Sequence, residues 1–278
     1  MTLEQDVARH YATRTILSQI EAALKSKGAD LDRLTVDDLK PVDEFHTGGI
    51  EATSALLDQL DFTPDMTVLD IGAGLGGTAR HIVHRYGARV TGIDLTPDFV
   101  EAGRELSRRL HLEERIELAV ASALDLPQQD SSIHLAVMIH VGMNIADKTR
   151  LFVEVARVLR DGGHFALFDV MAGENGEDLV FPLPWSSSSD TSHVAAPGVY
   201  RRAAHEVGLV QIAERDRTPF ARDYFDRVRR KIAADGPPPL GIHLLMGDTA
   251  GTKIDNYVTN LAAGRIAPYE MIFKKPAS

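Results

Sequence analysis

The run Val68–Gly77, VLDIGAGLGG, constrains the fold of this chain more than any other segment. A short apolar, β-branched stretch, Thr67–Ile71, runs directly into Gly72, Gly74 and Gly77, spaced G-x-G-x-x-G. Ala79, Ile82, Val83 and Tyr86 then recur at helical spacing. The pattern predicts a buried strand that turns tightly into a helix, because glycine lets the backbone reverse sharply and lets a ligand approach the main chain. Alone, such a glycine triplet is a weak signal. The next apolar run ends in Asp94, 20 residues beyond Gly74, where a carboxylate accepts hydrogen bonds from both hydroxyls of a ribose. That geometry serves a nicotinamide dinucleotide and S-adenosylmethionine (SAM) alike. Asp70 separates them: a carboxylate under the turn repels a pyrophosphate but favours the cationic methionine tail of SAM.

The same alternation continues on both sides. Val7, Tyr11, Leu17, Ile20 and Leu24 predict a first helix stopped by Gly28, and a second is expected around Glu51–Leu60. Arg89–Asp94, Arg115–Ala123, Ile133–Val141 and His164–Met171 read as strands. Between them, Asp98–Leu110 reads as a helix, and Asp147 caps another that Gly162-Gly163 is expected to close. Strands alternating with short helices specify a mostly parallel sheet with helices on both faces. Past Met171 the rhythm breaks into a stretch rich in Gly, Pro and Ser, read as an insertion or lid. A helix over Tyr200–Glu206, a strand near Leu209–Glu214, a helix over Ala221–Ala234 and a last strand over Pro268–Lys274 follow. The expected organisation is an α/β, Rossmann-like fold: a helical cap over 1–62 and a core over 63–278 that carries an insertion at 172–200.

The net charge of −10 argues against nucleic acid or an anionic membrane as partner. No apolar run approaches a membrane span and the first residues resemble no secretion signal, so a cytoplasmic location is expected. A homodimer is compatible with the sequence. With no cysteine, disulfides, thiolate metal sites and thiol nucleophiles are excluded, and with them carbon-5 cytosine methylation and thiol-dependent arsenic methylation. The eleven histidines show no H-x-x-x-H or H-E-x-x-H pairing, so no metal is expected. Arg227, Arg229, Arg230 and Lys231 read as a solvated helix face.

The segment DIGAGLGG, the strand-end Asp94 and Ala123–Pro127 (ALDLP) resemble class I SAM-dependent methyltransferases. From Pro41 to Met171 the chain is similar to the small-molecule branch that includes glycine/sarcosine and tocopherol methyltransferases; PVDEFHTGG (Pro41–Gly49) and HVGMNIADK (His140–Lys148) carry that likeness. The resemblance implies a seven-stranded sheet whose last strand is antiparallel. It implies SAM with its methionine part on Gly72 and Gly74 near Asp70, its ribose on Asp94 beside Leu95, and its adenine flanked by Ser122, Ala123 and Leu124. Ser122 stands where relatives often carry an acid, and His134 replaces a frequent strand acid. Tyr11 matches a tyrosine that closes over SAM in similar enzymes, or packs between helices; His46, Gly48 and Gly49 are expected near the methionine carboxylate, or form a simple loop.

His140 ends the fourth strand, where open α/β sheets bind ligands. It is the candidate base, since a neutral imidazole accepts a proton from an incoming hydroxyl or ammonium; ordering the loop or touching SAM is the plainer reading. Asn144, Trp185, His193, His243 and Met246 are the candidates for the acceptor pocket. The expected reaction is in-line transfer of a methyl from SAM to nitrogen or oxygen, less readily carbon, of a small molecule, leaving S-adenosylhomocysteine. The alternatives are an NAD(P)-dependent oxidoreductase, disfavoured by Asp70, and a non-catalytic SAM-binding protein.

Overall fold

Apolar side chains on the central strands point alternately to two faces, and that alternation builds the layers. The computed structural model describes residues 16–277. Its first elements are the helices α1 (Ile16–Ser26), α2 (Val36–Asp43) and α3 (Gly49–Leu57). Then come β1 (Thr67–Ile71), α4 (Gly77–Tyr86), β2 (Arg89–Asp94), α5 (Pro97–Arg109), β3 (Ile116–Val120), β4 (Ile133–Ile139), α6 (Lys148–Val158) and β5 (Leu159–Ala172). The chain closes with α7 (Pro197–Glu206), β6 (Val210–Asp216), α8 (Thr218–Asp235), α9 (His243–Met246), α10 (Ala250–Ala262) and β7 (Ile266–Lys274).

The seven strands lie in the order β3-β2-β1-β4-β5-β7-β6, and β7 runs antiparallel to both neighbours. Leu69, Ile71, Ala136 and Met138 bury against α6 and α7, whereas Val68, Leu135, Val137 and Ile139 bury against α3 and α4. The winding reverses between β1 and β4, so a crevice opens at their carboxyl ends. Helices α1 and α2 cover that crevice from one side through a cluster of Ile20, Leu24, Leu39 and Val42 with Phe99 and Leu245. From the other side, the segment after β5 joins α8 and α10 around Trp185, Phe225 and Tyr257.

Three local expectations are corrected. Gly162-Gly163 does not close α6: the helix ends at Val158 and passes straight into β5. Gly162 (φ 76°) sits instead in a bulge where the β4–β5 register jumps from Ile133↔Leu159 to Leu135↔His164. Helix α2 was not expected, being short and carrying Pro41. Its start is nonetheless written in the sequence, for the Asp38 carboxylate accepts hydrogen bonds from the Thr35 N–H (2.8 Å) and hydroxyl (2.7 Å). Helix α10 was also missed, although Ile254, Tyr257, Val258 and Leu261 keep helical spacing.

Candidate active site

Between the sheet ends and the covering helices lies a cavity of about 370 Å³. The turn after β1 forms its floor. Gly72 has a φ of 75°, and a Cβ there would stand 2.2 Å from Val141 Cγ2, so a side chain is excluded on both counts. The third glycine has a different reason: a Cβ on Gly77 would meet the Asp43 carbonyl oxygen at 2.4 Å, so it is α2 that requires it. Arg80, fully buried on α4, holds α2 from below through Asp43 (2.6 Å) and the Ser107 hydroxyl (3.0 Å). Burial, against the pull of Arg80, pushes the Asp43 carboxyl up to about 6.

Two carboxylates face the cavity from the floor. Asp94 is pinned by backbone, accepting from the Gly74 N–H (2.9 Å) and the Thr96 N–H (2.8 Å), and keeps free lone pairs for further donors. Asp70 differs: its buried Oδ2 has no hydrogen-bond partner among the described residues. Burial and the nearby Glu44 and Asp94 charges push it up to about 7. An unsatisfied buried carboxylate oxygen costs about 1–3 kcal/mol, a penalty that a bound cation or N–H donor removes. The floor therefore suits a ligand that brings a cation or N–H donor to Asp70 and further donors to Asp94.

The cap side is built on a buried network. His46 Nε2 lies 2.7 Å from Glu44 Oε2, which also accepts from the Thr53 hydroxyl at 2.7 Å. Burial raises the Glu44 carboxyl, but His46 and Thr53 outweigh it and hold the group below the ordinary range. Next to it, the Thr47 hydroxyl donates to Tyr257 Oη at 2.8 Å, tying the cap to α10.

His140 sits where β4 ends. Its φ of 54° is left-handed, a conformation that costs a non-glycine residue about 1–3 kcal/mol and gathers at functional sites. Its N–H donates to the Phe168 carbonyl (2.7 Å), and its ring stands 5.8 Å from His46. The Nε2 is buried and unpartnered among the described residues. Burial, and then His46, hold the imidazole well below its usual value, so it is neutral at neutral pH. The loop that follows is braced from beneath: buried Lys148 donates to the Ile145 and His193 carbonyls, the latter at 2.9 Å. Beside it, the Tyr200 hydroxyl donates to Asp169 Oδ2 (2.6 Å).

Of the residues singled out in the sequence, His46, Asp70, Gly72, Gly74, Asp94 and Leu95 line this cavity. So do Ala123, Leu124, His140, Asn144 and Trp185. Tyr11 lies outside the described residues. Six others are absent from the wall: Gly48, Gly49, Ser122, His193, His243 and Met246. Gly48 starts α3, where a Cβ would meet the Phe220 ring at 2.5 Å, so helix packing accounts for it. The Ser122 hydroxyl turns back to accept from the Leu124 N–H (3.0 Å). His193 contributes backbone, its N–H donating to the Met143 carbonyl (2.7 Å). On α9, Ile242 and Leu245 face the cavity in place of His243 and Met246, one helical face being presented and the other turned away. His134, at the far end of β4, accepts from Thr67 and has no part in the site.

Sequence reasoning missed much of the wall opposite the floor. Tyr224 and Phe225 on α8 and Ile254 and Tyr257 on α10 all line the cavity. Trp185 meets the Tyr257 ring edge-on at 6.0 Å and donates from Nε1 to the Ser192 hydroxyl (3.0 Å), so it is at once wall and anchor. Only the spacing within α10 could have flagged this set.

Residues 69–167 match the methyltransferase domain family. Sarcosine/dimethylglycine N-methyltransferase of Halorhodospira halochloris is 30% identical over 197 residues, covering 70% of this chain and 69% of that protein. Glycine/sarcosine/dimethylglycine N-methyltransferase of Actinopolyspora halophila is 28% identical over 188 residues, but this chain spans only 33% of its length. Geranyl diphosphate C-methyltransferase of Streptomyces coelicolor, solved with S-adenosylhomocysteine, shares the fold with a TM-score of 0.71 at 19% identity, covering 99% of this chain and 98% of that one. The chain belongs to the class I SAM-dependent methyltransferases, in the branch that acts on small molecules. It is a SAM-dependent methyltransferase of small molecules. Among the described residues no helix is long and apolar enough to cross a membrane.

Proposed function

We propose that the floor of the cavity seats SAM and that the aromatic side receives a small molecule methylated on nitrogen or oxygen. One observation carries this reading: the buried, unpartnered Oδ2 of Asp70 beneath a glycine turn, with Asp94 beside it. In this arrangement Asp70 takes the ammonium of the methionine tail and the Gly72–Gly74 backbone supports that tail. Asp94 accepts from the ribose hydroxyls, and Ala123 and Leu124 flank the adenine. When bound, SAM supplies a methyl on a sulfonium, already activated for in-line displacement.

The chain's own residues then have two tasks. The first is alignment: holding acceptor and methyl in line within a closed cavity removes roughly 7–11 kcal/mol of barrier. The cap, through Thr47, and α10, through Tyr257, close the cavity and exclude water. The second is proton removal. His140 Nε2, buried and kept neutral, accepts the proton of an acceptor that arrives protonated. Calorimetric titration of SAM into the wild type and Asp94→Ala tests the seat. Loss of roughly 1.5–3 kcal/mol of binding is expected, the worth of hydrogen bonds to a charged group, and undiminished affinity overturns the assignment.

A further inference from the structure

Among the described residues, the charged side chains that line the cavity are Asp43, Asp70, Asp94 and Asp147, and each has its task. Asp43 is bound to Arg80, and the Asp147 carboxylate caps α6 by accepting from the Arg150 N–H at 2.8 Å. Asp70 and Asp94 belong to the SAM seat. The opposite half is built from Met143, Trp185, Phe225, Leu245, Ile254 and Tyr257, and among the described lining residues no lysine or arginine occurs. Tyr257 Oη accepts from the Thr47 hydroxyl, and Trp185 Nε1 donates to Ser192. Two buried side-chain atoms on the cavity wall have no partner among the described residues: Nε2 of His140, which accepts a hydrogen bond when the ring proton sits on Nδ1, and Oδ1 of Asn144.

Carboxylates, phosphates and ammonium groups pay several kcal/mol to enter such surroundings without a counter-charge, whereas apolar area gains about 25 cal/mol per Å² buried. A hydroxyl has one proton to give, which serves either His140 Nε2 or Asn144 Oδ1, and it carries no charge. We infer that the methyl acceptor is an uncharged, largely apolar molecule presenting a hydroxyl to His140 and Asn144, and that acceptors bearing a carboxylate, a phosphate or a permanent ammonium are rejected. The inference rests on the SAM seat proposed above. In the reaction a lone pair of the hydroxyl oxygen forms the new C–O bond. The electron pair of the broken S–CH₃ bond stays on sulfur as a neutral thioether. The hydroxyl proton passes to His140 Nε2, which later returns it to water.

Trp185 is the chain's one tryptophan and lies in this wall, so its emission reports directly on occupancy. The experiment titrates the protein, saturated with S-adenosylhomocysteine, with four probes of equal chain length: 1-octanol, octanoate, octylammonium and methyl heptyl ether. Octanol is expected to shift Trp185 emission with at least about tenfold tighter affinity than octanoate or octylammonium, and several-fold tighter than the ether. The preference for alcohol over ether should disappear in His140→Leu. Equal or tighter binding of either charged probe overturns the inference, as does an unmoved emission with octanol up to its solubility. Parity of alcohol and ether overturns the hydroxyl assignment. Calorimetry of S-adenosylhomocysteine on the same sample reads the cofactor seat separately, so a failure there is distinct from a failure of the acceptor class.

Discussion

The two halves of the cavity are made in different ways. The floor is made of backbone and short-range geometry: Gly72, Gly74, Asp70 and Asp94 lie within 25 residues of one another and are set by two adjacent parallel strands. The opposite wall is made of side chains that arrive from Met143, Trp185, Phe225 and Tyr257, on four separate segments. The floor can hold one cofactor shape with little freedom, because moving any of its groups means moving the sheet. The wall can change its occupant by exchanging side chains on α8 and α10 and leave the sheet untouched. That division explains how one fold serves many methyl acceptors.

If the halves are independent in this sense, damage should sort by side. The largest expected effect lies under the floor. Arg80→Ala leaves buried Asp43 without its counter-charge and should lower the unfolding free energy by about 3–5 kcal/mol in urea titration. A loss below 1 kcal/mol would show that the cap and the floor are not coupled there. At the seam, His140→Ala should cut turnover by about 10²–10⁴-fold while SAM affinity stays within a few-fold. Unchanged turnover removes the base from the mechanism.

On the floor itself, SAM affinity should depend on pH through Asp70. Burial and the Glu44 and Asp94 charges push its carboxyl up to about 7, and only the ionised form pairs with an ammonium. Affinity should therefore be full at pH 8 and fall about tenfold by pH 6, binding being accompanied by proton release below pH 7. Asp70→Asn should bind more weakly and flatten that slope; a slope that survives assigns it to another group. The smallest effect belongs to the closure between halves. Tyr257→Phe removes the acceptor of the Thr47 hydrogen bond and should cost about 0.5–1.5 kcal/mol of stability. By the same logic it should raise the acceptor KM and spare SAM affinity, and the reverse pattern in steady-state kinetics breaks the division.

Most of the parallel sheet and its helices, and the floor of the cavity, were legible in the sequence. The signals there are local: the near-continuous apolar runs of β1 and β4, the glycine spacing, and an acid at a strand end. Even so, the reasons behind individual residues were hidden. Gly48 read as a ligand glycine and Gly77 as the last glycine of the turn motif, yet Phe220 and Asp43 are what exclude a side chain there, and both contacts join segments distant in the chain. His243 and Met246 lay on the right helix but on its wrong face, because a single turn of helix carries no period from which to read its buried side.

The sequence by itself determined that a strand, a glycine turn and a helix would bring Asp70 and Asp94 to the floor of one cavity, since those relations are fixed by covalent spacing and backbone geometry. The tertiary structure alone decided which aromatic residues stand across from them, and that His140 Nε2 and Asp70 Oδ2 have no partner among the described residues. Whether a buried polar atom is satisfied depends on every segment that packs around it, and no run of neighbours in the chain contains that information.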